Sequence, residues 1–269
     1  ASTWVNVFGP VRVEKAFSFD GTLDPNAATL TVILDLQNGS ATVQTWENES
    51  FQIKITARAR AWSSSEAQRL IDSVMLNPKL SPTEISFRAP RVSFGPLSSL
   101  ETDIQLLVPR GRVYELKLSS LNGAINVQEI NAATVDLNAT NGRIRANTLT
   151  AQHAKFQTAN GSISGKLSAS QATISTANGS IDLILGGVTG TYELSTFNGS
   201  IELDVPDDPQ IGYAISAQSV TSRVRVQIPN FVFRSQERRH VEGETNNFQN
   251  APTKITITAS TTNGSIEIR

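Results

Sequence analysis

The sequence predicts an all-β protein: a β-solenoid of coils about 19 residues long, preceded by a smaller β-rich region with one amphipathic helix. Three observations carry that expectation. Asn-Gly-x-Ile occurs six times, at Asn122, Asn141, Asn160, Asn178, Asn198 and Asn263, the first five at intervals of 19, 19, 18 and 20 residues. Aligned on the Asn, whole columns agree: Leu118, Leu137, Phe156, Ile174, Leu194 and Ala259 stand four residues before it, and Leu116, Val135, Ala154, Ala172, Tyr192 and Ile257 six before. Two before it every residue is small, namely Ser120, Ala139, Thr158, Thr176, Thr196 and Thr261.

Apolar positions two apart follow the strand period, so each repeat reads as strand, Asn-Gly turn, strand. Asn and Gly accept positive φ, which makes the pairs Asn122-Gly123, Asn141-Gly142, Asn160-Gly161, Asn178-Gly179, Asn198-Gly199 and Asn263-Gly264 structural turns with positive φ expected at Gly. Asn-Gly is also the favoured two-residue hairpin loop, and an antiparallel meander satisfies the same parity. Recurrence of one residue type in one column favours the solenoid, where like stacks on like about 4.8 Å apart.

In chain order, residues 1–108 read as an N-terminal β-rich region. Trp4 to Val13, Thr29 to Leu36, Ala41 to Trp46 and Phe51 to Ala61 have strand patterns, with Asn38-Gly39 joining the second to the third, and residues 1 to about 100 read as lying outside the repeat. A helix is expected over 64–76: Ser63 and Glu66 form a capping box, Ala67, Leu70, Ile71, Val74 and Met75 an apolar stripe for packing, and Pro78 the stop. Ser86 to Val108 adds strands, and Val108-Pro109-Arg110-Gly111 leads into a solenoid over 109–269. Beyond Val205 the array breaks into a turn-rich exit through Pro206 and Pro209, a strand over Thr221 to Ile228 and a polar loop over Arg234 to Pro252. Lys254 to Arg269 restores one rung, expected as a closing coil that caps the stack.

A net charge of −1 with 17% charged residues argues against nucleic-acid binding. The absence of cysteine excludes disulfides, thiol catalysis and thiolate zinc sites while leaving the redox compartment open. No apolar run approaches the roughly 20 residues of a transmembrane helix. A start at Ala1 fits a secreted chain after signal cleavage and a trimmed sequence alike. Asn-x-Ser/Thr sequons at Asn38, Asn48, Asn138, Asn160, Asn178, Asn198 and Asn263 are mostly the turn motif itself, so turn chemistry accounts for them before glycosylation does.

The strand ending in Asn-Gly-Ser-Ala-Thr-Val-Gln-Thr-Trp (38–46), the alternating strand through Ala61, the Glu-Ala-Gln-Arg-Leu-Ile-Asp helix, the Val-Pro-Arg-Gly entry and the tandem Asn-Gly-x-Ile coils together resemble the bacterial putative-adhesin family. The resemblance covers nearly the whole chain and implies a secreted or envelope protein with a β-solenoid core. It says little about ligand. Where many relatives carry an acidic residue, this chain has Ser162, Ser180, Ser200 and Ser265.

No catalytic motif is present. Nucleophilic hydrolysis needs a histidine beside its nucleophile, and His153 and His240 lie in no motif; there is no His-Glu-x-x-His and no Gly-rich phosphate loop. The expectation is therefore no enzyme, no cofactor and no dedicated metal site. Lys117, Asp136 and Lys155, five before each Asn, would stack as a register-holding ladder. Asp182, Glu202 and Glu267, four after each Asn, with Asp204 two residues along, would form an acidic row that Arg223 and Arg225 compensate, or that a cation or ligand uses. The leading reading is a non-catalytic extracellular or cell-envelope protein that attaches through a solenoid surface to a glycan or protein, or to copies of itself. The alternatives are a polysaccharide-active enzyme using outward carboxylates and a fibre subunit joined end to end. All three Trp precede the repeats, and Tyr192 falls in an inward column, which weighs against a sugar-cleaving groove.

Overall fold

Strands flanking an Asn-Gly turn pair with the like strands of neighbouring coils, in parallel, which distinguishes a solenoid from a chain of hairpins. The computed structural model describes residues 10–75, 78–90 and 98–269, so the expected strand over Trp4 to Val13 is described only in part and the side chain of Met75 lies outside the described residues. In chain order the elements are β1 (Val11–Thr22), β2 (Leu30–Asn38), β3 (Ala41–Trp46), β4 (Ser50–Ala61), α1 (Ser64–Met75), β5 (Lys79–Leu80), β6 (Glu84–Arg88), β7 (Ser99–Pro109), β8 (Val113–Asn122), β9 (Ile125–Gln128) and β10 (Asn131–Asn141). There follow β11 (Ile144–Asn160), β12 (Ile163–Asn178), β13 (Ile181–Leu185), β14 (Gly190–Asn198), β15 (Ile201–Asp204), β16 (Ile211–Ser219), β17 (Val224–Val226), β18 (Phe231–Gln236), β19 (His240–Thr245), β20 (Thr253–Asn263) and β21 (Ile266–Ile268).

Each coil has a leading strand before Asn-Gly and a trailing strand after it. Leading strands stack in the order β6, β2, β8, β10, β11, β12, β14, β20, β16, and trailing strands from β7 and β3 through β9 to β15, β21 and β17. One apolar core lies between the two faces; Leu118, Leu137, Phe156 and Ile174 are wholly buried within it, as are Ile125, Ile144, Ile163 and Ile181. The second corner of the coil places Glu129 (φ 54°) and Thr148 (φ 57°) in the left-handed region. In the 18-residue coil that extra residue is missing, and Leu149 pairs with Leu167 across a register shift.

The repeat begins earlier than its spacing suggests. β2, Asn38-Gly39 and β3 form a coil of their own, with Asn38 level with Asn122 and Ala41 level with Ile125. This corrects the reading that residues 1 to about 100 stand outside the repeat. Ala41 replaces the Ile, and the 84-position separation of Asn38 from Asn122 hides the period. Part of the segment between them, together with β1, caps the first coil: β4 pairs antiparallel with β7, β1 antiparallel with β4, and α1 packs on β1 and β4 through Ala67, Leu70, Ile71 and Val74. Only half of the capping box forms. The Glu66 amide donates to Ser63 Oγ at 3.2 Å, while the Glu66 carboxylate accepts from Ser98 Oγ at 2.9 Å.

The closing-coil expectation is also corrected. β20 is flanked by β14 on one side and β16 on the other, so Lys254 to Arg269 is inserted within the stack rather than laid on its end. Its apolar columns, Ile255, Ile257 and Ile266, fit between two coils and would be half exposed on an end. The end itself is formed by β16, then antiparallel β19 and β18. Residues 234–252 therefore contain a strand where a polar loop was expected, because Val241, Gly243 and Thr245 bury one side of β19. The strand expected over Thr221 to Ile228 shortens to β17.

At the turn edge three rows run along the stack. Each Asn Nδ2 donates to the Asn Oδ1 of the coil before it at 2.8 Å, from Asn122 onto Asn38 through to Asn263 onto Asn198. Hydroxyls two residues before Asn donate to the Gly carbonyl of the preceding coil: Ser120 to Gly39, Thr158 to Gly142, Thr176 to Gly161, Thr196 to Gly179 and Thr261 to Gly199. The third row is the glycines, and the expected positive φ is found only at Gly39, the coil the period missed; none of the six predicted turn glycines has it. Those six are required by proximity. A Cβ on Gly123, Gly142, Gly161, Gly179, Gly199 or Gly264 would come closer than 3.0 Å to the Gly carbonyl of the adjacent coil.

Ala139 interrupts the hydroxyl row, leaving the Gly123 carbonyl without the bond its counterparts receive. Ala139→Thr should stabilise the protein by about 1 kcal/mol, read as a higher urea midpoint, whereas Ala139→Val, of the same shape without the donor, should not.

Candidate binding surfaces

The outward residues of the trailing face form rows because the coils stack in register. Asp182, Glu202, Glu267 and Arg225 stand level on four successive coils, and Asp204 lies level with Ile184 two residues along. The acidic row expected from sequence thus exists as a row of side chains, and it is threaded by arginines. Arg269 places Nη2 2.6 Å from Glu202 and Nε 2.7 Å from Asp204, while Arg225 Nη1 lies 3.9 Å from Glu267. Arg223, the other expected partner, precedes this row, its carbonyl accepting from the Ile266 amide at 3.1 Å. These pairs are roughly half exposed and screened by solvent, so they chiefly hold register. Among the described residues no group of three or more His, Asp or Glu is arranged to hold a metal.

The histidines stay apart from any such row. His153 is exposed on β11, level with Thr134 and Gln171 of the neighbouring coils, and His240 Nε2 lies 3.8 Å from a Glu242 carboxylate oxygen. Lys117, Asp136 and Lys155 stand in register on β8, β10 and β11.

A shallow groove of about 570 Å³ runs across four coils on the leading face, beside the Asn row. Its line is Asn138, Gln157, Ser175 and Ser195, one per coil, in register. Along the turn side it is bordered by Thr140, Ala159 and Ala177, and closed by Phe197, which is 56% exposed. Sequence reasoning looked for Trp and Tyr and overlooked Phe197. The signal was available in the column just before each Asn, where Leu121 and Phe197 are bulky and apolar in an otherwise small outward series.

At the far end of the stack a cavity of about 530 Å³ is lined by Pro206, Asp207, Tyr213, Asn230, Asn247 and Arg269 among others. Its polar groups hold its own walls together. Tyr213 Oη donates to the Pro206 carbonyl at 2.7 Å, and Asn247 Nδ2 donates to the carbonyls of Pro209 at 3.0 Å and Ile211 at 3.1 Å. Burial, with Asp208 and Asp207 nearby, pushes the Tyr213 phenol above its ordinary value, so it remains a neutral donor.

Parallel coils, an Asn row on one edge and antiparallel strands over both ends define a capped β-solenoid that presents fixed rows of side chains. The chain belongs to the family described as Toastrack DUF4097, whose model matches residues 26–269. None of the curated proteins matches it. Similar solved structures include a putative cell adhesion protein from Clostridium sporogenes, at 13% identity over 94% of this chain and 99% of that one with a TM-score of 0.43. A putative adhesin from Bacteroides fragilis is 10% identical over 95% and 97%, also with a TM-score of 0.43. One from Parabacteroides distasonis is 12% identical over 94% and 97%, with a TM-score of 0.40. Among the described residues no helix is long and apolar enough to cross a membrane.

Proposed function

We propose that this chain is a non-catalytic, adhesin-like attachment protein of the extracellular space or cell envelope, and that the leading-face groove engages a polymeric surface ligand, a glycan foremost. The observation that carries the reading is the row Asn138, Gln157, Ser175 and Ser195, which repeats amide and hydroxyl groups at each coil level beside an exposed aromatic ring. Such a row offers successive hydrogen bonds to a repeating chain, and Phe197 offers a stacking face. Ligand capture outside the cell requires the protein to be there, which is the location this reading assigns. The arginine pairing of Glu202, Asp204 and Glu267 supports a structural use of the carboxylates over glycoside cleavage. Antiparallel strands over both ends support a discrete particle over a fibre subunit.

A glycan array followed by calorimetry tests the proposal. Phe197→Ala and Gln157→Ala should each weaken binding of the captured glycan by about tenfold while leaving the thermal midpoint within about 2 °C of the parent, since both side chains are at least partly exposed. Equal binding by parent and variants, or conversion of the glycan to shorter products, overturns it.

A further inference from the structure

The chain carries almost no net charge, yet its arginines are unevenly placed. Three exposed ones, Arg223, Arg238 and Arg239, are brought together at the capped end by two segments that the sequence separates. The Val224 amide donates to the Arg238 carbonyl and the Ser219 amide to the Arg239 carbonyl, both at 2.9 Å, which docks the β18–β19 turn against the loop leading into β17. That loop is itself pinned. Ser219 Oγ donates to the Gly264 carbonyl at 2.8 Å and accepts from the Ser222 amide at 3.0 Å, while Val220 and Thr221 amides donate to Thr261 and Thr262. The Glu237 amide donates to the His240 carbonyl at 2.8 Å and closes the turn that carries Arg238 and Arg239.

Of the neighbouring acids, Glu267 lies 3.9 Å from Arg225 Nη1, and Glu242 lies 3.8 Å from His240 Nε2, a contact that is an ion pair only with a protonated imidazole. Glu237 shares the turn, but among the described residues no carboxylate lies within 4.0 Å of the guanidinium of Arg223, Arg238 or Arg239. Three guanidinium groups without a carboxylate partner are carried on a hydrogen-bonded backbone frame, and Arg suits carboxylate, sulfate and phosphate oxygens because its donors form a planar fork. We infer that Arg223, Arg238 and Arg239 form a polyanion-binding site for an acidic polysaccharide, separate from the leading-face groove.

The site goes beyond the proposed attachment reading, and its test separates the two. Binding of the intact protein to heparin, to polygalacturonate, to neutral dextran and to phosphatidylglycerol vesicles would be measured over a range of salt. The expected result is binding to one or both acidic polysaccharides that falls steeply with salt, no binding to dextran, and at least a tenfold loss in the Arg238→Ser, Arg239→Ser double variant. The corresponding Arg→Lys pair should restore only part of the affinity, and Phe197→Ala should leave it unchanged. Binding to vesicles but to neither polysaccharide assigns the cluster to a lipid surface and overturns the inference. Unchanged affinity in the serine variant, whose exposed positions leave folding intact by thermal midpoint, overturns it as well.

Discussion

Gly179→Ala should destabilise the protein by about 3 kcal/mol or more, although it adds a single methyl group to a partly exposed turn. The new Cβ would meet the carbonyl carbon and oxygen of Gly161 and the amide of Ser162, all backbone atoms that cannot rotate away. Relief requires the two coils to separate, which breaks the bond from the Gly161 amide to the Asn178 carbonyl, the Asn178-to-Asn160 side-chain bond and the Thr176-to-Gly161 bond. Gly111 supplies the control. It has φ +77° with no atom within 4 Å of where a methyl group would sit, so Gly111→Ala carries conformational strain alone and should cost about 1 kcal/mol. Urea denaturation of both variants decides the matter, and a cost at Gly179 no larger than at Gly111 would refute the stacking account.

Ile181→Ala should cost about 2 to 5 kcal/mol. Ile181 is level with Ile163 on one coil and Ile201 on the next, all three at most 1% exposed, and coils held by parallel hydrogen bonds cannot close around the lost volume. Ile184, three residues along the same strand but 47% exposed, should tolerate Ala within about 0.5 kcal/mol. Equal losses at the two positions would show that the repeat columns do not divide core from surface as described.

The coils were legible because stacking makes each column answer to one local environment: Ile at the start of the trailing strand, a hydroxyl before the turn, Gly where two backbones meet. The right residues came with the wrong cause at Gly, since a turn that needs positive φ and a turn that admits no Cβ both select glycine. Asn38 escaped because Ala41 breaks the motif and the capping strands separate that coil from the next. Coil order beyond Val205 was illegible for a different reason: local pattern marks a strand but not its slot, and only the pairing of β20 with both β14 and β16 places it. Among site residues, the acidic row followed from the period, whereas Arg269 and the tip formed by Arg223, Arg238 and Arg239 depend on contacts between segments distant in sequence.

The slot occupied by β20 and β21 bears on how the protein is made. Coils carrying Asn141 to Asn198 pair with the one just synthesised, so they are able to assemble as they leave the ribosome. The next segment to emerge, β16 to β19, pairs within itself but has no coil to dock on yet: the strand that β16 must lie against in parallel follows it, and Asn263 is 65 residues beyond the Asn198 it bonds. Until then the β14 and β15 edge remains unpaired, a template for any passing strand. Completion is thus an insertion between two elements already translated, a non-local step that is slow by nature and sets the interval during which the nascent chain needs protection.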